Sequence, residues 1–346
     1  ETLLYVRNNI KISKPKYKKG YYEMKLEIID DIFTLPIQQE YANYIGQYIP
    51  QLVISSCKKY EDLIDKEYIL KIKDLMNQSA NEFMHKALKK AKKQKGLQQT
   101  VNSLMTDIMT KYRYMGDWRT IEGSYTPRDF KQIQETSYGD CKDFSYMLAH
   151  MLRSLGYQAN IALISRSSYP PRKQLLPVHD INHAIVHVKL LDKSYWFDPT
   201  NNFAYASSNL PDISGRDAIV IDDKKTKTYS EYIPYSDYKS SVVKVDLELN
   251  YNQDESVSAK EKYTYSGLQA LIRYGTFFAQ SPQHQKHIAR SYVASAGKRK
   301  ILSSSKVELS SKFNTRTVED FSISTQMKYS NMYAKTSVGK AFELPS

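Results

Sequence analysis

The chain has 346 residues, 41% of them hydrophobic, with a formal net charge of +13. That length exceeds one ordinary domain, so two or three cores are expected, and no apolar run is long enough to span a bilayer. The excess of basic residues favours anionic partners: envelope polymers, acidic proteins, lipid headgroups or nucleic acid. The two cysteines exclude a disulfide framework and leave at most one bridge, Cys57 to Cys141.

In chain order, residues 1–57 read as β: Leu3–Val6, Tyr21–Ile28 and Gln51–Ile54 cluster strand formers between turn signals. Cys57 falls at the end of the last of these and reads as a structural thiol. The chain opens on Glu1, which suggests a trimmed start or a removed targeting segment, and the short β stretch is taken as the remnant of a larger module. From about 66 to 114 the pattern turns helical. His85–Lys95 sets lysines opposite Phe83, Met84, Ala87, Leu88 and Ala91, and is read as a solvated helix face. It lacks the aromatic interleaving of RNA-binding surfaces, so nucleic acid is not an expected partner. Leu97, Val101, Leu104, Met105, Ile108, Met109 and Tyr112 follow a period of 3.6. A loop holding Trp118, Gly123 and Pro127 comes next.

The chemistry concentrates after that loop. Asp140 can cap a helix starting at Cys141, with Asp143 in its first turn. Phe144, Met147, Leu148, Met151, Leu152 and Leu155 make its apolar stripe, and Gly156 ends it. A helix N-terminus stabilises a thiolate, and Gly139 allows a close approach, so this cysteine is a candidate nucleophile. A nucleophilic thiol needs a base, and the base an orienting group. Strands are expected at 158–165, 182–190 and 194–198, the last two forming a hairpin around Leu191–Ser194. His183 opens its first strand and Asp198 closes its second. Spacing alone does not choose the histidine. A four-residue loop would set His187 opposite Asp198, a bulge would favour His183, and His179 is a third option. A zinc site on His179, His183 and His187 is disfavoured, because the β-branched run between them is a strand and no His-Glu-x-x-His pattern occurs. Gly215 and Pro234 sit in a polar stretch read as a boundary. From 236 on, alternation over Val242–Leu249 and Val307–Ser330 predicts an antiparallel β domain with a short helix near Ser266–Phe277.

The motifs GDCKD (139–143), the helix with its LGY end, NHAIVHV (182–188) and YWFDPT (195–200) resemble the transglutaminase-like branch of the papain-type cysteine enzymes, over about residues 70–222. The resemblance implies an α+β fold, helices packed on an antiparallel sheet, flanked by β modules. It sets domains at 1–57, 58–235 and 236–346, the last resembling a β-sandwich. It implies Cys141 as nucleophile, His183 as base and Asp198 as orienter. The oxyanion would be held by the Cys141 N–H and a second donor, for which Gln134 is chosen over Gln132, Tyr138 and Trp118. No cofactor or metal is expected. The expected activity is thiol acyl transfer on peptide or glutamine carboxamide bonds, with a protein or peptide substrate, in a protein exported to a bacterial periplasm or envelope. The rival reading is a non-catalytic envelope scaffold, for which the 29 tyrosines would supply recognition surface.

Overall fold

The computed structural model describes residues 3–7, 10–14, 16–19, 21–28, 51–55, 57–116, 126–166, 181–295, 300–330 and 332–342. Trp118, Gly123 and His179 lie outside them. The chain divides into two compact units. The first comprises Glu1–Gln94, Asp107–Thr200 and Asn209–Tyr235; the second comprises Lys95–Thr106, Asn201–Ser208 and Ser236–Ser346.

In the first unit the N-terminal strands pair as nested antiparallel ribbons. β1 (Leu3–Arg7) pairs with β6 (Gln51–Ser55), β2 (Ile10–Ile12) with β5 (Leu26–Ile28), and β3 (Lys16–Lys18) with β4 (Tyr21–Glu23). Helix α1 (Lys66–Met76) is capped by Asp65. Helix α2 (Glu82–Ala91) is capped by Asn81 and buries Met84, Ala87 and Ala91, leaving its lysines outside. It stops at Ala91, short of the basic run's end. Helix α3 (Leu97–Lys111) has its residues up to Thr106 in the second unit and the rest in the first; along it and the residue after it, the expected stripe is buried except for Met109, which is half-covered. A short helix not foreseen from the sequence, α4 (Phe130–Thr136), carries an Asp129–Gln132 capping box.

The centre of this unit is a five-stranded antiparallel sheet in the order β11-β10-β9-β12-β13. Its members are β9 (Gln158–Ile164), β10 (His183–Leu190), β11 (Lys193–Phe197), β12 (Arg216–Asp222) and β13 (Lys227–Ile233). Helix α5 (Cys141–Ser154) packs on β9 and β10. Residues 141–152 of α5 are buried on every side, well beyond an amphipathic stripe. Three of its polar side chains reach backbone carbonyls of other elements: Ser145 Oγ donates to the Ala184 carbonyl at 2.9 Å, Tyr146 Oη to the Leu75 carbonyl at 2.5 Å, and His150 Nε2 lies 2.8 Å from the Gln78 carbonyl. Gly156, at φ +90°, ends the helix in a Schellman motif, its N–H on the Arg153 carbonyl and that of Tyr157 on the Leu152 carbonyl.

The stretch from Gly215 to Pro234 holds the β12–β13 hairpin, whose Ala218–Ile221 run is buried in the sheet's core, and the first unit ends just past it at Tyr235. Gly215 sits at φ +71°, a backbone conformation that favours glycine, and the end of the exposed Tyr235 ring lies over it. Cys57 and Cys141 are both free thiols, and no bridge joins them.

The second unit holds a four-stranded antiparallel sheet, β14 (Val243–Tyr251), β15 (Val257–Tyr265), β17 (Phe321–Ser330) and β16 (Lys300–Leu309), in that spatial order. β15 and β17 alternate strictly between buried and outward residues. Helices α6 (Gly267–Phe277) and α7 (Pro282–Ser295) pack against the sheet, so among the described residues helices stand where a sandwich would place a second sheet. The core is aromatic: Tyr263, Tyr265, Tyr274, Phe277, Phe313, Phe321 and Tyr329 are all buried. A short ribbon, β18 (Tyr333–Thr336) with β19 (Gly339–Phe342), follows.

Candidate active site

Local capping determines what the start of α5 offers. Asp140 Oδ1 accepts the N–H groups of Lys142 (3.1 Å) and Asp143 (3.3 Å), and its carbonyl accepts that of Phe144 (3.0 Å). The Asp143 carboxylate reaches back to the Asp140 N–H at 3.2 Å, completing a capping box. Among the described residues, the Cys141 N–H is the amide of this first turn left without a hydrogen bond, beside its own sulfur. Gly139 is required for space: a Cβ there would sit 2.9 Å from the Phe144 ring and 3.0 Å from the Asp143 Cβ.

A buried ion pair anchors this turn. Arg128 donates its backbone N–H to Asp143 Oδ1 at 2.8 Å, and Nε and Nη2 to Oδ2 at 3.0 and 2.7 Å. Nη2 also reaches the Tyr138 carbonyl at 2.7 Å, and the guanidinium lies over the Tyr138 ring. Burial and the neighbouring Asp140 push the Asp143 carboxyl up, against the pull of Arg128. Lys142, also buried, pairs with Asp140.

The hairpin turn has two residues, Leu191 and Asp192, because Leu190 pairs with Lys193. In that register Val186 faces Phe197, which carries position 185 across from Asp198, with His183 and His187 two positions to either side. The side chains decide between them. His183 Nε2 lies 2.9 Å from Asp198 Oδ2. The His187 ring lies 4.6 Å from that of Trp196, tilted by 40°, and its Nε2 lies 3.0 Å from Ser194 Oγ, which in turn donates to Glu231. Burial, with the Lys189 charge adding to it, lowers His187 to about 4 against the attraction of Glu231, so this ring is neutral at ordinary pH.

His183 behaves oppositely. Burial alone would lower it, yet the charge and hydrogen bond of Asp198, and then the Cys141 side chain, hold it raised to about 9. With Nε2 committed to Asp198, Nδ1 is the nitrogen that remains for the thiol. Burial works to raise the Asp198 carboxyl, but His183, Arg166 and Thr200 keep it below the usual range. The Thr200 backbone N–H and Oγ1 both donate to Asp198 Oδ1, at 2.9 and 2.7 Å. Cys141, His183 and Asp198 are 7%, 6% and 4% exposed, dry enough for their mutual charges to count.

The expected oxyanion donor is not joined to this group. Gln134 is exposed on α4, and none of the hydrogen bonds among the described residues ties its side chain to Cys141, His183 or Asp198. Tyr114, in the two-residue strand β7 (Arg113–Tyr114), is nearer. β7 runs parallel to β8 (Tyr138–Gly139) with Tyr114 beside Gly139, and its ring meets Phe144 edge-on at 5.7 Å. Burial and then Cys141, Asp140 and Asp198 push its phenol up, so it stands within their field. Arg128, Arg166 and Tyr114 were not singled out in the sequence, where nothing local marks them. No group of three His, Cys, Asp or Glu suited to a metal ion occurs among the described residues.

Comparisons with known proteins place these residues in context. Residues 83–199 match the model of the transglutaminase-like superfamily. Among solved structures, a candidate protease from Parabacteroides distasonis is 12% identical, with a TM-score of 0.44, over 95% of this chain and 65% of that one. A candidate cysteine protease from Cytophaga hutchinsonii is 14% identical, with a TM-score of 0.28, over 58% of this chain and 65% of that one. The chain thus spans about two thirds of each neighbour's length. No curated protein matches. On the family match, with its sheet and the helix that opens on Cys141, the chain carries a transglutaminase-like core of the α+β class.

Proposed function

We propose that this protein is a thiol acyl-transfer enzyme in which Cys141 is the nucleophile, His183 the base and Asp198 its orienting carboxylate. The observation that supports it is the His183–Asp198 pair, raised to about 9 at the imidazole and in electrostatic contact with the Cys141 side chain. An imidazole of that basicity takes the thiol proton and leaves a thiolate. The sulfur adds to a peptide or glutamine carboxamide carbonyl, and the Cys141 N–H donates to the resulting oxyanion. Collapse breaks the C–N bond, and His183 gives its proton to the departing amine. A thioester remains on Cys141. Water releases it as a carboxylate, and a primary amine releases it as a new amide; in both cases His183 accepts the incoming proton.

Two assays test this reading in parallel: transfer of a labelled primary amine to a glutamine-rich protein, and cleavage of a peptide library. Turnover in one of them, lost in Cys141→Ala, is expected. Iodoacetamide should alkylate Cys141 faster than a free thiol near neutral pH. An alkylation rate no higher than that of a free thiol, or turnover kept by Cys141→Ala, would overturn the assignment.

A further inference from the structure

Asp198 holds two cations, and the base is only one of them. The other is Arg166, just past the end of β9. Its backbone N–H donates to Asn182 Oδ1 at 2.7 Å, and Asn182 Nδ2 donates to the Arg166 carbonyl at 3.0 Å. This clasp fixes Arg166 against the residue that precedes the base. Its guanidinium is divided between two acids. Nε donates to Asp212 Oδ2 at 2.7 Å, and Nη2 lies 2.6 Å from the same oxygen. Nη1 donates to Thr200 Oγ1 at 3.1 Å and lies 3.4 Å from Asp198 Oδ2 and 3.4 Å from His183 Nε2.

When Nε2 carries the proton it gives to Asp198, it and Nη1 are both donors and do not bond each other. They converge on one carboxylate oxygen. A permanent positive charge so close to a partly buried imidazolium opposes its protonation and shares the carboxylate that favours it. A base held too firmly by Asp198 would form thiolate readily but would be a weak acid toward a leaving amine.

We propose that Arg166 is a positioning residue that moderates the hold of Asp198 on the His183 imidazolium, with Asp212 setting how much of the guanidinium is directed at Asp198. The proposal rests on the acyl-transfer reading above for its catalytic meaning. The groups facing His183 are Cys141 from α5, Asp198 from the end of β11 and Arg166 from the end of β9. Behind them, Asp212 and Arg216 act on Arg166, while the phenols of Tyr114 and Tyr68 stand in the field of Cys141 and Asp140.

The test is an NMR titration of the imidazole nitrogens in the full chain, with His183 assigned through His183→Asn. It needs no substrate. Arg166→Met should raise the His183 midpoint by about half a unit or more, and Asp212→Asn should lower it, because it removes an anion and frees the guanidinium for Asp198. Arg166→Lys, which keeps the charge, should stay near wild type. In turnover, Arg166→Met should lower kcat by about tenfold with KM kept. Midpoints that coincide with wild type in both variants, or move in the same direction, overturn the proposal. Should Arg166→Met not fold, the downward shift in Asp212→Asn against the unmoved Arg166→Lys decides the matter. Shifts as expected, with no acyl transfer from any donor, would leave the proposed electrostatics standing and remove the enzymatic reading instead.

Discussion

Asp198→Asn removes the charge that holds His183 protonated, and the structure gives the size of the effect. His183 is raised from 6.5 to about 9, and it is buried enough for that difference to count as folding free energy. The shift of about 2.5 units is worth about 3 kcal/mol at roughly 1.4 kcal/mol per unit. Because the folded-state value is the higher one, the stabilisation is complete below the unfolded value and disappears as pH rises through the folded one. Linkage places it at about 3 kcal/mol near pH 5.5, about 2 near pH 7.5, and close to zero near pH 9.5. In Asp198→Asn only the smaller influence of the Cys141 side chain still favours the imidazolium, against burial, which depresses it. The difference in unfolding free energy between wild type and variant should therefore shrink by about 3 kcal/mol from pH 5.5 to 9.5, above a pH-independent remainder from the lost Thr200 bonds. Urea unfolding at those three pH values measures it. A difference that is flat across the range, or that grows with pH, would refute the assignment of His183 to Asp198 as an ion pair.

Three further outcomes are expected. Arg128→Met leaves the Asp143 carboxylate buried without its partner, which should cost about 3–5 kcal/mol in unfolding free energy, and the double variant with Asp143→Asn should recover part of it. Gly139→Ala forces the new methyl against Phe144 and Asp143 at the nucleophile turn; a loss of about 1–3 kcal/mol is expected, with slower alkylation of Cys141. Phe313→Ala empties a site ringed by Tyr274, Phe277 and Phe321, and a calorimetric or urea measurement should show a loss of about 3–5 kcal/mol.

The sequence by itself determined what is decided within a few residues. The Asp140 cap, the helix that opens on Cys141, and its glycine stop follow from contacts at most a few positions apart, and the resemblance selected His183 through motifs of that same short range. Periodicity likewise exposed α3 and the alternation of β17. The tertiary structure decided what depends on partners distant in the chain. The two-residue turn set a hairpin register that spacing had left open, and the neighbours of each ring then separated His183 from His187. No strands are read over residues 216–233, because the lysine-rich turn and outward side chains of the hairpin outweigh its short apolar run; burial against β9 makes it part of the sheet. Helix α5 has an amphipathic sequence yet is covered all round, and its Ser145, Tyr146 and His150 side chains meet backbone carbonyls 39 to 72 positions away. Arg128 and Arg166 carry no local signal, because an ion pair's strength comes from the water its neighbours exclude, and those neighbours meet only once the sheet and helix have packed.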